Sequence, residues 1–301
     1  MFVSIQRNKV KTVFIVLMVV FFLVTAVYFI ANYFGMGMYA IPIAVVIAIG
    51  SSWSSYHYSD RIVLSISGAR PAGKVTERRV RDAMEGLCLA AGLPMPRVYI
   101  IDDKTANAFA TGRDPYNAVV CVTTGLLEKM EYYELEAVLA HELAHIGNRD
   151  ILLSTIVTVM VGIVTILSDF FLRTFLWGGR GRGGGRVSGK GHPILMVIGL
   201  IFVILAPIIG MLMKMLLSQN REYLADATAI QFTRNPDGLA GALRKLSMQE
   251  CPVEKATNAT SNLYIVDPFD SFEYVAGRGL AGLFSTHPPI EKRIQAIRNL
   301  R

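Results

Sequence analysis

EYYELEAVLAHELAHIGNRD, residues 131–150, carries the chemistry of the chain. Acids crowd its first turns and a histidine and an arginine fall near its end, which suits the dipole of a helix running in that direction. His141 and His145 stand four residues apart, so on a helix they are about 40° apart around the axis with a rise of about 6 Å. Both imidazoles can then reach one zinc ion at about 2.0–2.1 Å. Glu142 adjoins His141 and lies just under one turn before His145, so it borders such an ion without having to ligate it. That is the place of a general base acting on an attacking water. A histidine pair on a partly buried helix face would show the same spacing, so the reading needs a third ligand from elsewhere.

The third ligand is sought among few candidates, because a catalytic zinc of this kind takes three protein ligands and keeps one position open. In SQNREYLADATAI, residues 218–230, Glu222 and Asp226 are four apart and share a helix face. His145 lies just before one long apolar run and Glu222 just after another, at offsets of roughly 8 and 12 Å along a helix. An antiparallel hairpin of the two runs brings them to similar depth. Glu222 can then be the third ligand, with Asp226 an acceptor that orients a ligating imidazole. An ordinary solvated acid pair beside Arg221 is the plain alternative.

Those apolar runs set the class of the molecule. Of 301 residues, 52% are apolar and 18% charged, against roughly 25% charged in an ordinary soluble protein, and mean hydropathy is +0.43. An ordinary cytosolic enzyme and a disordered chain are both excluded. No Asp, Glu, Lys or Arg occurs in residues 12–59, a stretch too long for one span of about 20 residues and right for two. Basic residues flank it on both sides, Arg7, Lys9 and Lys11 before and Arg61, Arg70, Lys74, Arg78, Arg79 and Arg81 after. The positive-inside bias then places both ends in the cytoplasm. A cleaved signal peptide is the rival for the first run, but the apolar stretch is too long and lacks a small-x-small site.

A second hairpin is expected over residues 151–217. Its connecting loop, WGGRGRGGGRVSGKG at 177–191, is flexible and low in complexity. It lacks a Gly-Lys-Ser/Thr ending, so it is no phosphate loop, and it reads as a solvated connection rather than a nucleic-acid binder. Its positive charge conflicts with an external location. Either the first hairpin dominates orientation, or the second is shallow and does not cross. Three cysteines, Cys88, Cys121 and Cys251, without a Cys-x-x-Cys pair, read as buried thiols on the reducing side.

Segments 60–150 and 218–301 are charge-balanced, with 11 basic and 13 acidic residues in one and 10 and 9 in the other, and so read as foldable in water. A helix is predicted over 75–91, stopped by Gly92, Pro94 and Pro96. Strands are predicted at 97–101 and 118–123, where β-branched residues cluster. The domain plan is an N-terminal transmembrane hairpin at 1–59, a first part of a cytoplasmic domain at 60–150, the second hairpin at 151–217, and the rest of the domain at 218–301. The fold class is mostly α with a small β-sheet, integral to a membrane through four apolar helices.

HELAH at 141–145, GNRD at 147–150, REYLADA at 221–227 and STHPPIEKRI at 285–294, in that order, resemble the HtpX-type membrane zinc endopeptidases, relatives of the prenyl-protein CAAX proteases. The likeness runs over nearly the whole chain. It implies a zincin-like (gluzincin) cytoplasmic domain, zinc on His141, His145 and Glu222, and Glu142 as catalytic base. It further implies a multi-pass protein of a prokaryotic cytoplasmic membrane, stress-linked, with misfolded or damaged membrane proteins as substrates. The lipid bilayer is then a partner, nucleic acid is not, and a homo-oligomer is compatible. ANAFATG, residues 106–112, is similar to the gluzincin edge-strand region, where Asn107 and Ala108 pair with extended substrate backbone; Asn and Gly otherwise simply shape a loop. His287 is similar to a histidine near the metal that can stabilise an oxyanion, with Arg293 holding it or the substrate; the two prolines equally announce a rigid turn before a helix. A site-specific processing protease of the CAAX type, and a membrane scaffold whose zinc is structural, are the competing functions.

Overall fold

In a computed structural model of the chain, the described residues are 39–159, 161–162, 219–249, 251, 253–257, 259–268 and 287–300, with isolated positions between 10 and 28. Most of the first expected apolar segment, the second hairpin beyond residue 162 and the loop at 177–191 lie outside them. Helix α1 covers Ala40–Ile66, followed by β1 (Arg70–Pro71), α2 (Lys74–Ala91), β2 (Arg97–Ile101), β3 (Ala108–Gly112), β4 (Ala118–Thr123), α3 (Thr124–Lys129) and α4 (Tyr132–Gly147). Residues 150–159 are again helical. After the second apolar region come α5 (Gln219–Thr233), α6 (Pro236–Ser247) and α7 (Ile290–Arg298). Among the described residues, no helix is long and apolar enough to cross a membrane.

The sheet has the order β1-β2-β4-β3. β2 and β4 run parallel from Arg97↔Val119 to Ile101↔Thr123, while β3 is antiparallel to β4 from Ala108↔Val122 to Gly112↔Ala118. Helices and loops cover both faces, so β3 and β4 are buried at every position, which is why β4 reads as a continuous apolar run rather than an alternation. The alternation persists in direction. Val98, Ile100, Ala108, Ala110, Val120 and Val122 face one core with α2, α4 and α6. Ile101, Phe109, Val119 and Cys121 face the other with the end of α1, Leu153, Ile156, Val157, Val159, Val161 and Tyr264.

Helix α4 is central to the first core. It starts at Glu131, where the Glu131 side chain takes an N3 backbone N–H and the Glu134 side chain takes the Glu131 N–H, satisfying two otherwise orphaned donors. Lys245 of α6 reaches Glu134 at 2.6 Å and ties the two helices at that end. Leu135, Leu139, Leu143 and Ile146 recur at helical spacing and are fully buried, each contributing on the order of 1.5–3 kcal/mol relative to exposure. That burial fixes the rotation of α4 and therefore the direction in which His141, Glu142 and His145 point.

Two of the domain limits read from charge fall inside continuous packing. The 59/60 limit lies within α1, whose Val63 and Leu64 belong to the second core. Beyond 150/151, Leu153, Ile156, Val157 and Val159 pack in that same core, so the start of the third apolar run is part of the folded domain. Apolarity alone cannot separate a helix buried against a sheet from one buried in lipid. The cysteines also divide: Cys88 and Cys121 are buried as expected, and Cys251 is exposed.

Candidate metal centre

Helix α4 supplies two imidazoles and α5 a carboxylate. His141 Nε2 and His145 Nε2 are 3.1 Å apart. Glu222 Oε2 is 3.6 Å from the first and Glu222 Oε1 is 3.6 Å from the second. Ligands at about 2.0–2.1 Å in a tetrahedron stand roughly 3.3–3.4 Å from one another, and with each Glu222 oxygen facing one imidazole the three residues are close enough to share one zinc ion. The chemistry agrees with the spacing. Each Nδ1 faces a carboxylate, Asp226 Oδ1 at 2.9 Å for His141 and Asp150 Oδ2 at 3.2 Å for His145. A proton held on Nδ1 leaves a lone pair on Nε2. Two lone pairs and a carboxylate then converge, which repel one another unless a cation sits between them. Among the described residues these three form the one such group of candidate ligands.

The charges around the centre are strongly coupled. Burial opposes a charged His141, but Asp226 and Glu222 outweigh it and raise the imidazole to about 9 in the metal-free chain. A metal binding at this site therefore displaces a proton near neutral pH. Burial likewise opposes a charged Glu222, yet His287, His145 and His141 hold it well below the usual carboxylate range. Asp226 is brought to about 2, burial being overcome by Arg293 and His141.

Glu142 is the exception. Burial pushes its carboxyl up, only partly offset by the two histidines and by the Ala110 N–H that bonds it. It is 1% exposed, and its Oε1 has no hydrogen-bond partner among the described residues. It lines a cavity of about 20 Å³ together with Ala110, His145, Glu222, Tyr264 and His287. That is room for about one water, and far too little for a peptide.

The remaining expected residues are placed as follows. Arg293 is 1% exposed. It forks onto Asp226 through Nε at 2.9 Å and Nη2 at 2.7 Å and donates from Nη1 to the Ile265 carbonyl at 2.8 Å. His287 sits with Nδ1 3.3 Å from Glu222 Oε2, at the N-terminal approach to α7, where Pro289 is the cap. The His-Pro-Pro segment is thus the turn before a helix, and it sets His287 beside the centre.

The open edge expected at Asn107 and Ala108 is instead covered. They are 2% and 1% exposed. Asn107 Nδ2 donates to the Val266 carbonyl at 3.0 Å, the Ala108 carbonyl accepts from Ile265 N–H at 3.0 Å, and Phe109 bridges Tyr264 in antiparallel register. Further along, Ala110 N–H is bonded to Glu142 and Gly112 N–H to Thr155 Oγ1 at 3.3 Å. Residues 264–266 thus lie along β3 through an isolated bridge, a pairing that no pattern in the sequence announces. Asp150, at His145 Nδ1, was also not anticipated.

The sequence profile described as Peptidase family M48 matches residues 74–301. The chain is 43% identical over 295 residues to a protease HtpX homolog of Dictyoglomus turgidum, covering 98% of this chain and 93% of that one. It is 40% identical over 301 residues to the homolog of Caldanaerobacter subterraneus subsp. tengcongensis, covering 99% and 97%. The homolog of Listeria monocytogenes serotype 4a is 39% identical over 310 residues, with both chains fully covered. Among solved structures, S. mikatae Ste24p aligns with a TM-score of 0.48 at 17% identity, covering 99% of this chain and 67% of that one.

Proposed function

The chain belongs to peptidase family M48, and from that premise we propose that it degrades misfolded or damaged membrane proteins at the cytoplasmic face of a prokaryotic membrane. Membership and the centre together make it a zinc metalloendopeptidase, with His141, His145 and Glu222 as the metal's ligands. Zinc, when bound, supplies a Lewis acid that polarises the scissile carbonyl and the attacking water. The rest is done by the chain's own side chains. Glu142 Oε1, buried and without a partner beside a water-sized cavity, takes the proton from that water and passes it to the leaving amine. This single placement carries the reading. The raised proton affinity of Glu142 favours the uptake, and the Ala110 N–H keeps the carboxylate aimed. His287 borders the same cavity and is placed to donate toward the oxygen that gains negative charge.

The membrane location is supported by α1. Ile41, Val45, Val46 and Trp53 are exposed along it, followed by exposed Tyr56 and Tyr58 and then Arg61, whose guanidinium lies 5.5 Å from the Tyr58 ring centre. Apolar, aromatic and basic residues in that order suit a helix end lying at a bilayer surface.

A panel of detergent-solubilised substrates tests the role. Several unrelated unfolded membrane proteins are expected to be cut at many sites, and prenylated C-terminal peptides no faster than other peptides. Cleavage confined to one processed motif would replace quality control by site-specific processing.

A further inference from the structure

Both imidazoles of the centre are backed first by a carboxylate and then by an arginine. Behind His141 stand Asp226 and Arg293, joined by bonds of 2.7 and 2.9 Å. Behind His145 stands Asp150, with Oδ2 3.2 Å from Nδ1, and the other oxygen of Asp150, Oδ1, is 4.0 Å from Arg221 Nη1. We propose that Asp150 is a positioning residue for the zinc ligand His145, and that Arg221, an ion-pair partner at 4.0 Å without the hydrogen-bonded fork that Arg293 makes on Asp226, keeps Asp150 charged and turned to His145. The proposal rests on the zinc reading of the centre and extends it to two residues outside the ligand set.

The backbone is bent to make this contact. On an uninterrupted helix Asp150, five residues after His145, would lie about 140° away around the axis and face elsewhere. Helix α4 instead ends at Gly147, and Arg149 takes φ 57°, the left-handed region that a side chain bearing a Cβ enters only under strain. Helix resumes at Asp150, which is 2% exposed and returned to the His145 side. Such a turn persists where the surroundings over-determine it, and a buried carboxylate on a metal-directed imidazole is such a surrounding.

Arg221 gives the second half of the argument. Its side chain is 12% exposed, and a guanidinium so far out of water needs a carboxylate nearby. Helix α5 therefore serves both imidazoles: Arg221 acts on Asp150, Glu222 joins the ligand set, and Asp226 backs His141. The chemistry at Asp150 is that of a proton acceptor fixing Nδ1–H, which sets the tautomer and turns Nε2 to the metal.

Zinc affinity, measured on the purified full chain by competition with a chromogenic chelator, tests the idea without relying on catalysis. Asp150→Asn is expected to bind zinc 10–100-fold more weakly while regaining much of its peptidase rate in excess zinc. Arg221→Met is expected to weaken binding less, and Arg221→Lys to restore most of that loss. The double variant Asp150→Asn/Arg221→Met buries no lone charge, and it should bind zinc no more weakly than Asp150→Asn alone, because the arginine acts only through the carboxylate. Wild-type affinity in Asp150→Asn, or additive losses in the double variant, would overturn the proposal. Should Asp150→Asn not fold, equal affinities in wild type and Arg221→Met would do the same. Failure of wild type itself to bind zinc would instead remove the premise, so the two failures are distinguishable.

Discussion

Replacing Glu142 by Gln is expected to lower peptidase activity by roughly 10²–10⁴-fold, the usual contribution of a general base, while zinc stays bound at one per chain. Gln keeps the shape of the side chain and can still accept the Ala110 N–H, but its amide cannot take a proton from water. Glu142 lies outside the three converging ligand atoms, so metal affinity should change little. The loss should fall on kcat rather than on KM, since proton transfer belongs to the transition state and not to substrate binding. A neutral side chain also removes a buried group whose charge is disfavoured by burial, so the variant should unfold at the same temperature or a higher one. Turnover near that of wild type would mean that another group takes the proton. His287, which lines the same cavity, is the first place to look.

Glu222→Ala is expected to remove zinc rather than turnover alone. It deletes one of three ligands, so affinity should fall by more than the roughly 10–100-fold typical of residues behind a ligand. Two further consequences follow from the charges. His141 loses one of the two carboxylates that hold its proton, and His287 loses its neighbour at 3.3 Å. The pair of Nε2 atoms 3.1 Å apart is left with less to hold it together. Thermal unfolding with and without excess zinc reads this directly. Wild type should gain about 2.7 kcal/mol when free zinc is a hundred times its dissociation constant, and the variant should gain little at the same concentration. A variant stabilised by zinc as much as wild type would show that Glu222 is not a ligand.

The centre was legible in the sequence because two of its ligands are four residues apart on one helix, where spacing alone fixes the geometry. Glu222 came from a depth argument across two apolar runs, and the structure brings it to both imidazoles. The strands at 97–101 and 118–123 were legible because β-branched residues mark them. β3 was not read as a strand from its own pattern, since Ala108, Ala110 and Gly112 carry little strand preference; pairing with β4 and contacts with residues 264–266 hold it. Helix α6 went unread although Asn235, whose side chain caps Gly238 N–H, and Pro236 announce its start. Asp150 was out of reach for a physical reason. A five-residue spacing places it on the wrong side of a continuous helix, and the left-handed Arg149 that corrects this is a tertiary outcome.

One zinc ion on His141, His145 and Glu222 makes this chain a peptidase. The direct measurement is digestion of an unfolded protein by the detergent-purified full chain before chelation, after chelation, and after zinc is titrated back. Cleavage is expected to vanish on chelation and to return in proportion to added zinc, reaching a plateau at one equivalent per chain. Fragments produced at an undiminished rate by chain shown to be free of metal would contradict the account.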